Sequence, residues 1–578
     1  MNKFYKASQI RINIIISAII FIWLVIFIQL FSLQIINHNE ANYKLTNNIA
    51  SFVTLKGHRG LILDKNSIPL SQNINKYTIW INSNSEINTN KNKMLIANEL
   101  SKVFKKSSKY YIDKMSKNSN YIQLEKNVSQ QDIKNLKGLT GLNIDQKISR
   151  YYPYSELASQ LIGYTDGKNN GKIGIEAKFN HILSGQEHKD YFATKGAVYN
   201  ALIGSNFKPE NGANITLTID INIQTILQDE LNIAIERTGA KSANGVIVDP
   251  FTGNILAMSS IPSLDLNNYN SYSIDSQRNR VITDIYEPGS TYKVVTMAGK
   301  LELINDYNQN IYFCENGEFL YYDKIFHDHE KHGDLSLTGI LSQSSNIGMV
   351  KIASEIGKKN IYKFSREFGF GSSTGIPLIG ESYGILRPIN KWSGISAPEI
   401  AIGQEIAINN LQLAMAYCAI ANGGFLLKPN IIDNIQFTKN KQYKTETQVV
   451  RQSISNSTST KLLAMLKNAI IDGTGNYAHI KGFDIAGKTG TAQKVENGKY
   501  SKQNYVSSFA AIYPSYEPKY VCIISIDSAN SNKGYHWAGI SVAPAVKNIF
   551  ERIIHLETSN FQNLYSYNNN INTNSILN

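Results

Sequence analysis

The sequence predicts an α+β protein. One membrane-spanning helix comes first, then a mixed α/β region. A five-stranded antiparallel sheet follows, flanked by helices and carrying an inserted helical lobe. Three observations predict this. No residue from Ile12 to Ile36 is charged. Strand patterns lie at both ends of the stretch from Asn214 to His555 and enclose a helical middle. Three polar motifs fall in one order along that stretch: Ser290-Thr-Tyr-Lys293, Ser344-Ser-Asn346 and Lys488-Thr-Gly490-Thr491.

The apolar run is dominated by Ile, Phe, Leu and Val, and about 20 such residues span a bilayer. Lys3, Lys6 and Arg11 precede it, and Glu40 is the first charge after it. That asymmetry orients residues 1–11 to the cytoplasm and the rest outward. The run is longer than a cleavable signal core and no Ala-x-Ala follows, so 12–36 reads as an uncleaved anchor. Residues 37–215 carry short strands and helices among Asn/Lys loops. Residues 216–555 form the main domain, and the Asn/Ser-rich stretch 556–578 reads as a disordered tail.

The main domain opens with Ile215-Thr-Leu-Thr-Ile219, an alternating strand. Asp220 then caps a helix whose apolar face is Ile223, Ile226, Leu227, Leu231, Ala234 and Ile235, and Gly239 suits its end. Gly245–Asp249 and Asn254–Met258 flank a Pro-Phe-Thr-Gly turn and read as a hairpin. Three further strands fall at Phe483–Gln493, Val506–Tyr513 and Tyr520–Asp527, and a closing helix covers about Ala543–Ile554. Between the two strand groups, Ser290 to Asn422 reads mostly helical.

Composition excludes several functions. The formal net charge is +13 over 578 residues, but the lysines are scattered, which argues against a nucleic-acid footprint. Cys314, Cys418 and Cys522 are odd in number and widely spaced, so they define no disulfide framework. His327-Asp-His329-Glu-Lys-His332 matches no zinc spacing and reads as a polar loop. Gly369-Phe-Gly371 with Gly375 fails the dinucleotide pattern. No metal or cofactor is expected.

The three motifs carry the chemistry. Glu287-Pro-Gly289 forms a turn, and an apolar helix continues after Lys293. Ser290 therefore sits at a helix N-terminus, where free N–H groups favour developing negative charge. Lys293 shares its face at i+3. A lysine acts as a base only when neutral, a state that burial and a second cation such as Lys488 promote. A hydroxyl at Ser344 can relay a proton to a leaving amine, and Asn346 can hold a substrate carbonyl. Gly487 and Gly490 suggest close backbone approach by a ligand. Thr489 and Thr491 offer hydroxyls to a substrate carboxylate, and an edge strand offers N–H groups to a peptide and an oxyanion. Each motif alone is weak. A second S-x-x-K occurs at Ser205–Lys208, and S-x-N recurs at Ser71, Ser116 and Ser528; K-T-G occurs once. The ordered set is the signature of serine acyl-transfer enzymes of the penicillin-binding type.

With these motifs in place, the chain resembles a class B penicillin-binding protein of the cell-division (FtsI) type over nearly its whole length. Arg59-Gly-Leu-Ile-Leu-Asp64-Lys-Asn66, Arg150-Tyr-Tyr-Pro153, Gly163 and Gly174-Ile-Glu176 are similar to the family's pedestal landmarks. Glu287-Pro-Gly-Ser-Thr, Ser344-Ser-Asn-Ile-Gly348, Ala421-Asn-Gly-Gly424 and Ala486–Gln493 are similar to those of its catalytic domain.

The resemblance implies a pedestal, or dimerisation-type, domain below a β-lactamase/transpeptidase-like domain. Ser290 would attack the D-Ala–D-Ala bond of a peptidoglycan stem peptide, and an amine from a neighbouring strand would resolve the ester into a crosslink. It implies Lys293 as base, Ser344 as proton relay, and Asn346 and Lys488 as positioning groups. Thr489, Gly490 and Thr491 would bind substrate, and the Ser290 and Thr491 N–H groups would form the oxyanion hole. β-Lactams would acylate the same serine. The implied partner is an FtsW-type glycosyltransferase among other division proteins, and the implied place is the inner membrane with a periplasmic catalytic domain. An ion pair between Arg59 and Glu176 is expected. Two departures stand out: Gly403-Gln-Glu405 where relatives often read Gly-x-Gly, and Ser528 where Pro often follows the last long strand. An elongation-type transpeptidase, a D,D-carboxypeptidase or β-lactamase, and a non-catalytic β-lactam sensor are the competing readings.

Overall fold

The computed structural model describes residues 2–36, 50–136, 138–193, 210–303, 310–438, 441–496 and 498–575. The competing Ser205–Lys208 motif lies outside them. Residues 1–58 with 184–212 form one compact unit, and 59–183 with 213–578 form the other.

In the first unit, helix α1 (Asn2–Phe31) contains a stretch, Ile10–Phe31, long and apolar enough to cross a membrane. From Ile10 on, its large apolar side chains are exposed, as a helix surrounded by lipid requires. Strand β1 (Ala50–Lys56) pairs antiparallel with β6 (Glu187–Ala193).

The second unit carries two large sheets. The first is built from β2 (Ile62–Leu63), β3 (Pro69–Ile81), β4 (Ile122–Val128), β5 (Leu142–Tyr151), β7 (Asn214–Leu217), β10 (Ile432–Thr438) and β11 (Lys441–Lys444). Its order is β11-β10-β7-β2-β3-β4, with β5 also on β3. Helices α2 (Asn90–Phe104) and α3 (Ser108–Met115) bury Ile96, Leu100, Tyr111 and Met115 against Ile79, Ile81 and Leu124. The Ile215–Ile219 strand is present, but it pairs with β2 and β10. The sheet thus runs across the expected boundary at residue 215. Such pairing joins segments far apart in sequence, and local patterning does not encode it.

Glu176, on α4 (Gly174–Lys178), is fully buried between two arginines. Its Oε2 accepts from Arg59 Nε at 2.7 Å and lies 2.5 Å from Arg59 Nη2, and its Oε1 accepts from Arg150 Nε at 2.7 Å. The expected Arg59–Glu176 pair is therefore present, as part of a triad.

The second sheet is antiparallel throughout, in the order β12 (Ala486–Glu496), β13 (Lys499–Tyr513), β14 (Tyr520–Asp527), β8 (Ser242–Val248), β9 (Ile255–Ile261). It contains the five strands read from the sequence. Alternate residues face opposite sides. Ile247, Phe509, Cys522 and Ile524 pack with Leu227 and Leu231 of α5 (Ile221–Thr238) and with Val546 and Phe550 of α11 (Ala543–Ser575). Val246, Ala510 and Ile523 face the other core, with α9 (Asn410–Ala421), buried at every position. The caps of α5 are as read: Asp220 accepts from the Asn222 and Ile223 N–H groups, and Gly239 takes φ +64°, a left-handed stop that glycine adopts without strain.

The lobe departs from its helical reading. It contains α6 (Lys293–Leu303), α7 (Leu337–Ser342) and α8 (Asn346–Glu367). It also contains the hairpin Glu318–Tyr321 with Lys324–His327, and Ile311–Phe313 paired with Asp334–Ser336. The closing helix differs too. It runs to Ser575 where a disordered tail was expected, and no Gly or Pro after Pro544 interrupts it.

Breaking a buried ion cluster by removing one member strands the remaining charges and costs about 3–5 kcal/mol. Glu176→Ala is expected to destabilise the detergent-solubilised chain by that amount in denaturant unfolding. A cycle with Arg59→Ala should show coupling above about 1 kcal/mol.

Candidate active site

Ser290 lies in a 3-10 turn, Gly289–Tyr292, that runs directly into α6. Such a turn has three residues per revolution, so Ser290 and Lys293 stack on one face. The turn is fastened on several sides. Thr291 Oγ1 donates to Pro288 O (2.9 Å), Tyr417 Oη of α9 to Thr291 O (2.9 Å), and buried Tyr292 Oη to Ser365 Oγ (2.5 Å). Gly289 has φ +55°, and its N–H donates to Gly403 O at 3.0 Å.

Lys293 is fully buried. Its ammonium donates to Ser344 O (2.5 Å), Ser344 Oγ (3.2 Å) and Asn346 Oδ1 (2.7 Å). The amine is thus held by the second motif, not by the Ser290 hydroxyl one turn back. Ser344 adopts φ +61°. This left-handed kink lets both its carbonyl and its hydroxyl face the lysine before α8 begins.

The third motif lies on β12, the edge strand of its sheet. Gly490 opposes Ser508, and Lys488 opposes Ala510. A Cβ at Gly490 would lie 2.6 Å from Pro288 O and 2.9 Å from Thr291 Cγ2. The glycine therefore admits the protein's own serine turn. By its pattern alone, the glycine suggests close approach by a ligand. Ser290, Ser344, Asn346, Thr489 and Thr491 line one cleft of about 620 Å³, with Thr474, Tyr477 and Trp537 at its walls. All three motifs converge there.

Burial pushes Lys293 down to about 7, against the opposing pull of Asp328. Burial also holds Lys488 well below the ordinary lysine range, and repulsion from Lys293 adds to it. Of the two causes expected for Lys293, burial and a second cation such as Lys488, burial is the one that lowers it.

Two residues of the site were not identified from sequence. Thr474 Oγ1 is 2.8 Å from Thr489 Oγ1 and accepts from Lys488 Nζ at 3.3 Å. Its signal was the Gly473-Thr-Gly475 turn just ahead of the K-T-G strand. Asp328, set aside with the histidine-rich loop, caps α8: its Oδ1 accepts from the Asn346 and Ile347 N–H groups and its Oδ2 from Ser345 Oγ. Thr491 Oγ1 accepts from Ala538 N (3.2 Å). Of the two departures, Glu405 has φ +55°, ion-pairs with Arg387, and donates its N–H to Glu287 Oε1. Ser528 has φ +53°, a value closed to proline.

Residues 244–551 match the family described as the penicillin binding protein transpeptidase domain, and 54–217 match the penicillin-binding protein dimerisation domain. The chain is a class B penicillin-binding protein. It is 30% identical to the peptidoglycan D,D-transpeptidase FtsI homolog of Mesostigma viride, over 94% of this chain and 96% of that one. It is 32% identical to stage V sporulation protein D of Bacillus subtilis, over 85% and 77%. Penicillin binding protein 2X from Streptococcus thermophilus has the same fold, with a TM-score of 0.74 at 22% identity, covering 87% of this chain and 80% of that one. As a member of this family, the protein is a serine-type transpeptidase.

Gly490→Ala is expected to part β12 from the serine turn, at an overpacking cost of about 1–3 kcal/mol. It should slow acylation by a fluorescent β-lactam by about tenfold or more. Thr474→Val removes one hydroxyl from the Lys488–Thr489 pair. It should slow the same reaction by about tenfold, in line with one lost hydrogen bond, while the melting temperature holds within a few degrees.

Proposed function

We propose that this enzyme crosslinks peptidoglycan stem peptides through an ester on Ser290. The observation that carries the reading is the buried Lys293 amine, depressed to about 7 and bonded to Ser344 and Asn346 in the cleft that holds Ser290. In acylation, the Ser290 Oγ–carbon bond forms and the D-Ala–D-Ala C–N bond breaks. The serine proton passes to neutral Lys293 and reaches the departing amine through the Ser344 hydroxyl. The N–H groups of Ser290 and Thr491 hold the oxyanion. Lys488, Thr489 and Thr491 hold the donor's terminal carboxylate, with Gly490 setting the strand against the serine turn. In the second step an amine from a neighbouring stem peptide attacks, the ester C–O bond breaks, and the proton returns to Ser290. β-Lactams acylate the same oxygen.

The reading extends to septal wall synthesis during division, with an FtsW-type glycosyltransferase and other division proteins as membrane partners. The full-length similarity to an FtsI homolog supports it. The apolar N-terminal helix supports a single-pass inner-membrane anchor, with the cytoplasmic N-terminus and periplasmic catalytic domain that the flanking charges favour. A fluorescent fusion that labels the sidewall and not midcell would reject the division role.

Ser290→Ala should lose all labelling by fluorescent penicillin, and mass mapping of the wild-type adduct should place it on the peptide containing Ser290. Lys293 works as a base only when neutral. The acylation rate should therefore climb with pH through about 7 and level off above it. A rate flat from pH 5.5 to 8.5 would remove Lys293 from that role.

A further inference from the structure

We propose that Asp328 is a positioning residue for this reaction: it locks the Ser344–Asn346 turn against Lys293 and supplies the anionic charge that acts on that lysine. The inference rests on the reading of Lys293 as the base.

Three bonds converge on the Asp328 carboxylate. Oδ1 accepts from Asn346 N (2.5 Å) and Ile347 N (3.0 Å), and Oδ2 accepts from Ser345 Oγ (2.6 Å). The neighbouring carbonyl, His327 O, accepts from Asn346 Nδ2 at 2.8 Å. With its amide nitrogen engaged there, Asn346 turns Oδ1 toward Lys293, which donates to it at 2.7 Å. Asp328 is itself anchored, since its N–H donates to Gly317 O just before the hairpin. The loop that follows the hairpin thereby sets the side-chain amide that holds the lysine. A carboxylate at the N-terminus of α8, whose first segment runs to a kink at Gly357, also meets the positive end of that segment's dipole.

The charged groups around Lys293 are few. Lys488 faces it from β12 and Asp328 from the loop that follows the hairpin. His327, His329 and Glu330 of that loop and Asp472 after α10 (Asn456–Ile471) line the same cleft. Behind Asp328 lie Cys314 and the Lys351–Glu315 ion pair. The Asp328 charge favours the ammonium form of Lys293, and removing it lets burial depress the amine further. Neutral base then persists to lower pH, so the acid limb of acylation moves down.

The test is the pH profile of acylation of the full-length protein in detergent by a fluorescent penicillin. Asp328→Asn keeps an acceptor for the two N–H groups and loses the charge. Its acid limb should move down by about one pH unit, the order of one nearby charge. Asp328→Ser should move it the same way, so the result does not depend on one variant folding. Ser345→Ala removes a bond and no charge, and should lower the rate with the limb in place. A limb unmoved in both Asp328 variants, beside a normal wild-type profile, overturns this inference alone. A wild-type enzyme without a Ser290 adduct, or with a flat profile, overturns it together with the reading on which it rests.

Discussion

Everything at this site depends on holding one lysine amine out of water with no carboxylate bonded to it. Lys293 donates only to neutral oxygens: one carbonyl, one hydroxyl and one amide. An amine so placed gives up its proton near neutral pH, because desolvation disfavours charge and the bonds do not restore it. A directly bonded aspartate would keep it charged and useless as a base. Asp328 stands one residue removed, close enough to temper the amine and too engaged with α8 to pair with it.

The remaining architecture keeps that amine next to a reactive oxygen. Three segments distant in sequence must meet within a few ångströms, and each has a different support. The serine turn is wedged between Gly403 and Gly490, where a side chain at either position would collide with it. The Ser344–Asn346 turn is held by His327 and Asp328 at the end of a hairpin. The K-T-G strand is an edge strand, backed by the β13 ladder and braced by Thr474. Backbone contact without side chains gives a rigid site, and rigidity is what electrostatic stabilisation of a transition state requires.

Much of this was legible in the sequence, for identifiable reasons. Strands β8, β9 and β14, and β13 from Ser507 on, announce themselves because both their faces are buried, so they read as apolar runs between turn signals. The helix from Ile221 carries its own cap and stop in Asp220 and Gly239. Legibility failed where a residue's partner is distant. The short strands within Ile311–His327 have three or four residues each and expose apolar side chains such as Ile311, Phe313, Leu320 and Ile325, so hydrophobicity does not follow burial there and gives no period to detect. Asp328 looked like one more charge in a histidine-rich loop, since nothing local shows that its carboxylate ends at the start of α8. Arg59, Arg150 and Glu176 were all named from a resemblance, but only Arg59 was expected to pair with Glu176.

By itself, the sequence determined the kinds of chemistry present and their order: a hydroxyl with a lysine one turn on, a hydroxyl and amide pair, and a lysine beside a glycine on a strand. It determined these because turn, cap and periodicity rules act over a few residues. Only the tertiary structure decided which groups touch. It gave the Lys293 amine to Ser344 and Asn346, assigned the close approach at Gly490 to the protein's own turn, and drew Thr474 and Asp328 into the site. Those outcomes depend on packing between segments up to hundreds of residues apart, and on a desolvation that exists only once the interior has closed.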